Sequence, residues 1–107
     1  MTIENVTENT KQIYTSTAVE FELGQLVMTK GVSDLLGSLS HQLLMPCLAR
    51  HKNGDWGNVC IEDKVTNDEA TRHGFRVLSE YTFAGERIWL LTEADRSVTT
   101  FLLPSEY

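Results

Sequence analysis

The sequence predicts an α+β fold: an antiparallel sheet of about four strands, with two or three short helices packed on one face. Three observations carry this expectation. The last third alternates apolar and polar residues, residues 20–29 alternate once more near the start, and the middle is spaced in threes and fours between Pro46 and glycines at 37, 54 and 74.

Residues 1–18, MTIENVTENTKQIYTSTA, are rich in Thr, Asn and Glu, with Ile13 and Tyr14 as the one local apolar pair. They read as a disordered or loosely docked tail preceding a single domain at 19–107. A short strand or helical turn around Ile13 is the alternative, and it would let Tyr14 add to the core or to a partner surface. In residues 20–29, EFELGQLVMT, the apolar phase shifts after Gly24, as a bulge there would make it do, and the segment is expected as the first strand. Val32, Leu35, Leu36 and Leu39 then follow helical spacing, ending near Gly37.

Pro46 suits the start of a second helix because the missing N–H is not needed there, and Gly54 suits its end. Residues 59–73 place Glu62 and Asp63 early and Arg72 and His73 late, the charge order a helix dipole favours, with Gly74 closing the element. Residues 75–83, 87–93 and 98–103 are β-rich runs joined by turns, which predicts a three-stranded antiparallel meander. Alternation leaves the strand order open, and an exposed edge strand would offer a route to a homodimer.

A chain of 107 residues fits one domain, and 41% hydrophobic with 22% charged residues is the composition of a folded one. The net charge of −6 argues against a broad phosphate-binding surface and so against direct nucleic-acid binding. Half of that imbalance falls in residues 1–22, which hold four Glu against one Lys. No leader pattern precedes Cys47 and Cys60, so reduced thiols in a cytoplasmic protein are expected. The longest apolar runs, at 43–45 and 88–91, are far short of the ~18–20 residues that cross a bilayer.

Three groups of residues bear chemistry. Cys47, His51 and Asp55 are spaced four apart with Cys60 nearby, so they could share a helix face and converge on zinc. There is no CxxC and no second histidine at ligand spacing, and a small buried thiol explains Cys47 equally; no metal and no cofactor are assigned. In Gly54-Asp55-Trp56-Gly57 the glycines permit a tight turn, and Trp56 is large enough to anchor either the core or a partner. In Thr92-Glu93-Ala94-Asp95-Arg96-Ser97, two carboxylates and a guanidinium share an interstrand loop, where a contact site or a turn held by Asp95, with Arg96 answering Glu93, is expected. His51, Asp55, Trp56, Glu93, Asp95 and Arg96 are therefore the candidate binding residues. The sequence contains no GxSxG, P-loop, GxGxxG or HExxH, so no catalytic residues are assigned.

The run from Gly74 through Phe75-Arg76-Val77-Leu78-Ser79, the strings Ile88-Trp89-Leu90-Leu91 and Thr92-Glu93-Ala94-Asp95-Arg96-Ser97, and the upstream Gly54-Asp55-Trp56-Gly57 resemble a family of small bacterial proteins of plasmids and integrative elements, labelled plasmid-related proteins. The resemblance spans roughly residues 21–107. It implies an accessory protein of a mobile element and carries over no catalytic residues. A methyltransferase-subunit label sometimes given to such families does not fit, since Pro46 and Pro104 are isolated and form no Asn/Asp-Pro-Pro-aromatic motif. The expected function is thus a noncatalytic accessory protein that contacts another protein. The alternatives are an inhibitor of host defence, of anti-restriction or anti-CRISPR type, and a small metal protein or enzyme built on Cys47, His51, Asp55 and Cys60.

Overall fold

The structure, a computed structural model, describes residues 13–107. In chain order it runs β1 (Gln25–Met28), α1 (Lys30–Leu36), a 3-10 turn (His41–Leu44), α2 (Met45–Lys52), α3 (Ile61–His73), β2 (Val77–Phe83), β3 (Glu86–Thr92), β4 (Val98–Leu102) and a last 3-10 turn (Pro104–Glu106). The fold is α+β, with a four-stranded sheet of order β1-β4-β3-β2.

The meander β2–β3–β4 is antiparallel throughout. Its first turn uses Ala84 and Gly85, both at positive φ, which is the two-residue hairpin connection matching the strand twist. β1 corrects the expectation of a wholly antiparallel sheet, because it pairs with β4 in parallel. Alternation tells which side chains face the core but not which way a strand points. The strand is also shorter than residues 20–29. Gly24, at φ +67, lies against the backbone of Ser97, where an added Cβ would sit 2.3 Å from the Ser97 carbonyl, so the glycine marks where pairing begins rather than a bulge inside a strand.

One face of the sheet carries Val77, Tyr81, Ile88, Leu90 and Phe101, and Val32, Leu36, Leu44, Cys47 and Leu48 of the helical layer pack onto it. A second cluster, Phe21, Trp56, Ala70 and Val77, extends this core toward α3, with Tyr14 and Ala18 against its margin. Residues 13–18 have no regular secondary structure yet are docked: Arg72 Nη1 donates to the Thr17 carbonyl at 2.7 Å, and the Thr17 N–H donates to Asp68. The expectation of a loose tail for residues 1–12 lies outside the described residues. At the other terminus the Glu106 carboxylate accepts from Thr29 Oγ and from the Gly31 and Leu103 N–H groups, clasping the end of the chain to the start of α1.

The two edges of the sheet are treated differently. Along β2, Asn67 of α3 donates to the Leu78 carbonyl at 2.8 Å and accepts from its N–H at 3.2 Å, the two bonds a neighbouring strand would make. Two residues on, the Glu80 N–H donates to the Trp56 carbonyl and its carbonyl accepts from the Asn58 N–H. Sheet growth on that side is blocked by one amide and one turn, devices of the kind that protect natural edges.

Gly57 makes the close approach of that turn possible, since at φ +74 a Cβ would lie 1.9 Å from the Glu80 carbonyl oxygen. Gly85, at φ +78, has nothing within 4 Å of a Cβ. Gly85→Ala is expected to cost about 1 kcal/mol, the strain of a left-handed alanine, and Gly57→Ala several times that, because the edge turn must also move. Urea denaturation of the two variants checks the difference; equal losses would show that the close contact carries nothing.

Candidate functional site

At the Gly54–Gly57 turn the Arg50 guanidinium grips Asp55 through Nε at 2.7 Å and Nη2 at 3.2 Å, and the Gly57 N–H donates to the same carboxylate. Bonding to Arg50 holds the Asp55 carboxyl below its usual range despite partial burial. Arg50 also lies 4.7 Å over the Tyr81 ring, whose hydroxyl donates to the Asp55 carbonyl at 2.6 Å. Trp56 is 1% exposed and points inward, so it anchors the core and presents no surface to a partner. Its indole N–H donates to Asp68 at 2.9 Å.

Asp68 is a buried carboxylate in the middle of a helix whose sequence, NDEATRH, reads as solvated. Burial pushes its pKa up, but the bonds from Trp56, the Thr17 N–H, Tyr14 and Ser16 outweigh this and hold it below the ordinary value. Four donors on one anion fix the start of the described chain, the 54–57 turn and α3 to one another. No sequence signal marks this group, because its partners Tyr14 and Thr17 are more than fifty residues away.

His51 is fully buried, edge-on to Phe21 and to Trp56. Its Nδ1 lies 2.6 Å from Ser79 Oγ and its Nε2 2.8 Å from Thr92 Oγ1, which lies 2.7 Å from Thr99 Oγ1; Thr99 in turn donates to the Leu23 carbonyl at 2.7 Å. A carbonyl can only accept, so the direction of every bond follows from that end. Thr99 spends its proton on Leu23 and accepts from Thr92; Thr92 accepts from His51 Nε2–H, and Nδ1 accepts from Ser79. The imidazole is the neutral Nε2–H tautomer with both nitrogens occupied, and it offers no lone pair to a metal. Cys47 is buried, which pushes its thiol pKa up, whereas Cys60 is exposed. Among the described residues, no group of three or more His, Cys, Asp or Glu side chains is arranged to hold a metal ion.

In the β3–β4 loop Asp95 accepts from the Ser97 N–H at 2.9 Å, a local turn bond. Arg96, at φ +61, turns back over the Phe21 ring and donates to the carbonyls of Ala70 and Phe75 at 2.9 and 2.7 Å and of Glu93 at 3.2 Å. It thereby satisfies the end of α3, while the Glu93 carboxylate faces Arg76 at 3.8 Å instead of answering Arg96. Of the six candidate binding residues, His51 and Trp56 are interior, Asp55 and Arg96 are bonded within the fold, and Glu93 and Asp95 remain on the surface. The structure does not gather them into one site.

A different surface is gathered. Every residue of β1 is exposed, and the strand contains no charge and no proline. The Gln25 N–H donates to the carbonyl of Ser97, just before β4, and the Thr29 N–H to that of Phe101 in β4, so by the alternation of a parallel ladder the N–H and C=O groups of Leu26 and Met28 point away from the sheet. The Leu26 and Met28 side chains share the helix-facing side with Thr99 and Phe101. There they border a recess of about 390 Å³ with Val27, His41, Leu44, Met45 and Phe101. Leu26, Val27, Met28, Leu43 and Met45 are each 36–49% exposed, forming an apolar end to the molecule. The alternating apolar segment at 20–29 was the sequence signal for this strand, but its edge position and the contribution of the 41–45 segment were not readable from it. Comparison with protein-family models, with curated proteins and with solved structures finds no match.

Burial in the core, reinforced by the Arg96 charge, lowers the His51 pKa to about 4 from its ordinary 6.5. Above pH 6.5 both folded and unfolded chains hold a neutral imidazole and the group contributes nothing to pH dependence. As pH falls from 6.5 to 4 the unfolded chain takes up a proton that the folded one refuses, so stability is expected to drop by about 3 kcal/mol across that window. Denaturation curves across this range test the drop, and long-range ¹H–¹⁵N correlations should show the Nε2–H tautomer down to about pH 5. An Nδ1–H tautomer would overturn the bond directions given above.

Proposed function

We propose that the protein is a noncatalytic interaction protein whose contact surface is the open β1 edge with its apolar recess. The observation that carries this is the asymmetry of the sheet: Asn67, Trp56 and Asn58 occupy the outward groups of Leu78 and Glu80 on β2, while Leu26 and Met28 hold theirs out beside exposed apolar side chains. An edge strand bordered by an apolar groove is the geometry of strand addition, in which backbone bonds supply affinity and alternate side chains supply specificity.

The interior chemistry supports the noncatalytic part. His51, Asp68 and Asp55, the groups that would otherwise serve as base or ligand, each accept hydrogen bonds from groups that hold the fold together. The likeness of the 54–57 and 92–97 strings to proteins of plasmids and integrative elements supports an accessory role in a mobile element.

A photoreactive residue introduced at Val27, exposed in the middle of β1, should crosslink to protein in a bacterial host. The same residue at Val65, half exposed on α3, should not. Crosslinks at Val65 with none at Val27 would move the contact surface away from β1.

A further inference from the structure

Resting on the contact surface just proposed, we infer that the partner at β1 is a second copy of this chain, paired antiparallel about Val27 so that two four-stranded sheets become one of eight.

The outward groups of β1 are self-complementary. Leu26 and Met28 each present one N–H and one C=O, and the antiparallel register that opposes Leu26 to Met28 of the other copy, with Val27 opposite Val27, uses all of them in four hydrogen bonds. No other self-register uses them all: opposing Leu26 to Leu26 leaves the Met28 groups unpaired, and opposing Met28 to Met28 leaves those of Leu26. The same register places neutral residues against neutral residues from Gln25 to Thr29, so the overall charge of −6 brings no like charges face to face in the strand pair.

Extent decides between a copy and a bare peptide. Stable interfaces take about 800 Å² and roughly 20–30 residues from each side, far more than a four-residue strand offers. The exposed apolar surface continues from the strand onto the helical layer, through the recess to Met45 and the neighbouring Leu43. A peptide added to β1 covers the strand and leaves that layer in water. A two-fold copy, its axis perpendicular to the sheet, brings a second helical layer to the same side, so both recesses close against each other. Met28 and Met45 suit such a junction because an unbranched thioether fills irregular gaps.

Sedimentation equilibrium of the full chain from micromolar to millimolar concentration is expected to give twice the 12.1 kDa chain mass. Amide exchange should slow at least tenfold with concentration at Leu26 and Met28, and stay constant at Val27, whose N–H faces β4. Leu26→Pro removes an outward N–H that has no partner among the described residues. Met45→Glu puts a carboxylate in the first turn of α2, where an acid favours the helix, and opposes two charges across the closed recess. Both variants are expected to sediment as single chains, and if Leu26→Pro misfolds, Met45→Glu decides. A wild type that stays at the single-chain mass throughout, or a Met45→Glu variant that stays paired, overturns the self-pairing. In that event, Val27 crosslinks to a different protein would leave the β1 contact surface standing, and no Val27 crosslinks would remove it as well.

Discussion

One row of hydrogen bonds runs through every layer of this domain. It begins at Ser79 on β2, passes through His51 on α2, crosses Thr92 on β3 and Thr99 on β4, and ends on the carbonyl of Leu23 just ahead of β1. Each donor has one acceptor and each acceptor one donor, so the row has a single arrangement. A polar row in an apolar core is costly unless complete. Complete, it fixes which residue of each strand lies beside which, and it holds α2 at one height over the sheet. The Asp68 cluster does the same for the other side of the molecule, joining α3, the 54–57 turn and the segment around Tyr14.

The parts of the fold that were legible are those set by local rules. The meander announced itself by alternation in residues 75–83 and by the two β-rich runs after it, and α3 by its early acids, late bases and closing Gly74. The direction of β1 was not legible, because pairing with β4 is settled by the path of the chain between them. His51 stands between Arg50 and Lys52 and so looks like part of a solvated helix end. The one sequence hint of its role was the set of hydroxyls at Ser79, Thr92 and Thr99, each at an inward position of an otherwise apolar strand. Asp68 gave no such hint.

The conspicuous turn residues are likewise bonded within the fold. Trp56 and Arg96 stand out in the sequence because they are large and sit in turns, yet both are spent inside the fold, one as a core anchor and one as the cap of α3. The surface proposed for a partner is made of Leu, Val and Met, residues that in a linear sequence are indistinguishable from core. What separates them is the sheet order, which puts β1 at the end of the four described strands.

The Asn67 contact with Leu78 has a consequence for how far association could proceed. An amide side chain stands in for a fifth strand, so one side of the sheet is terminated within the molecule itself. A sheet with two open sides can recruit neighbours without limit, as fibres do. With one side sealed, an edge-to-edge contact through β1 uses up the open edge that the described sheet has, and such an assembly stops at a finite size instead of growing into a filament.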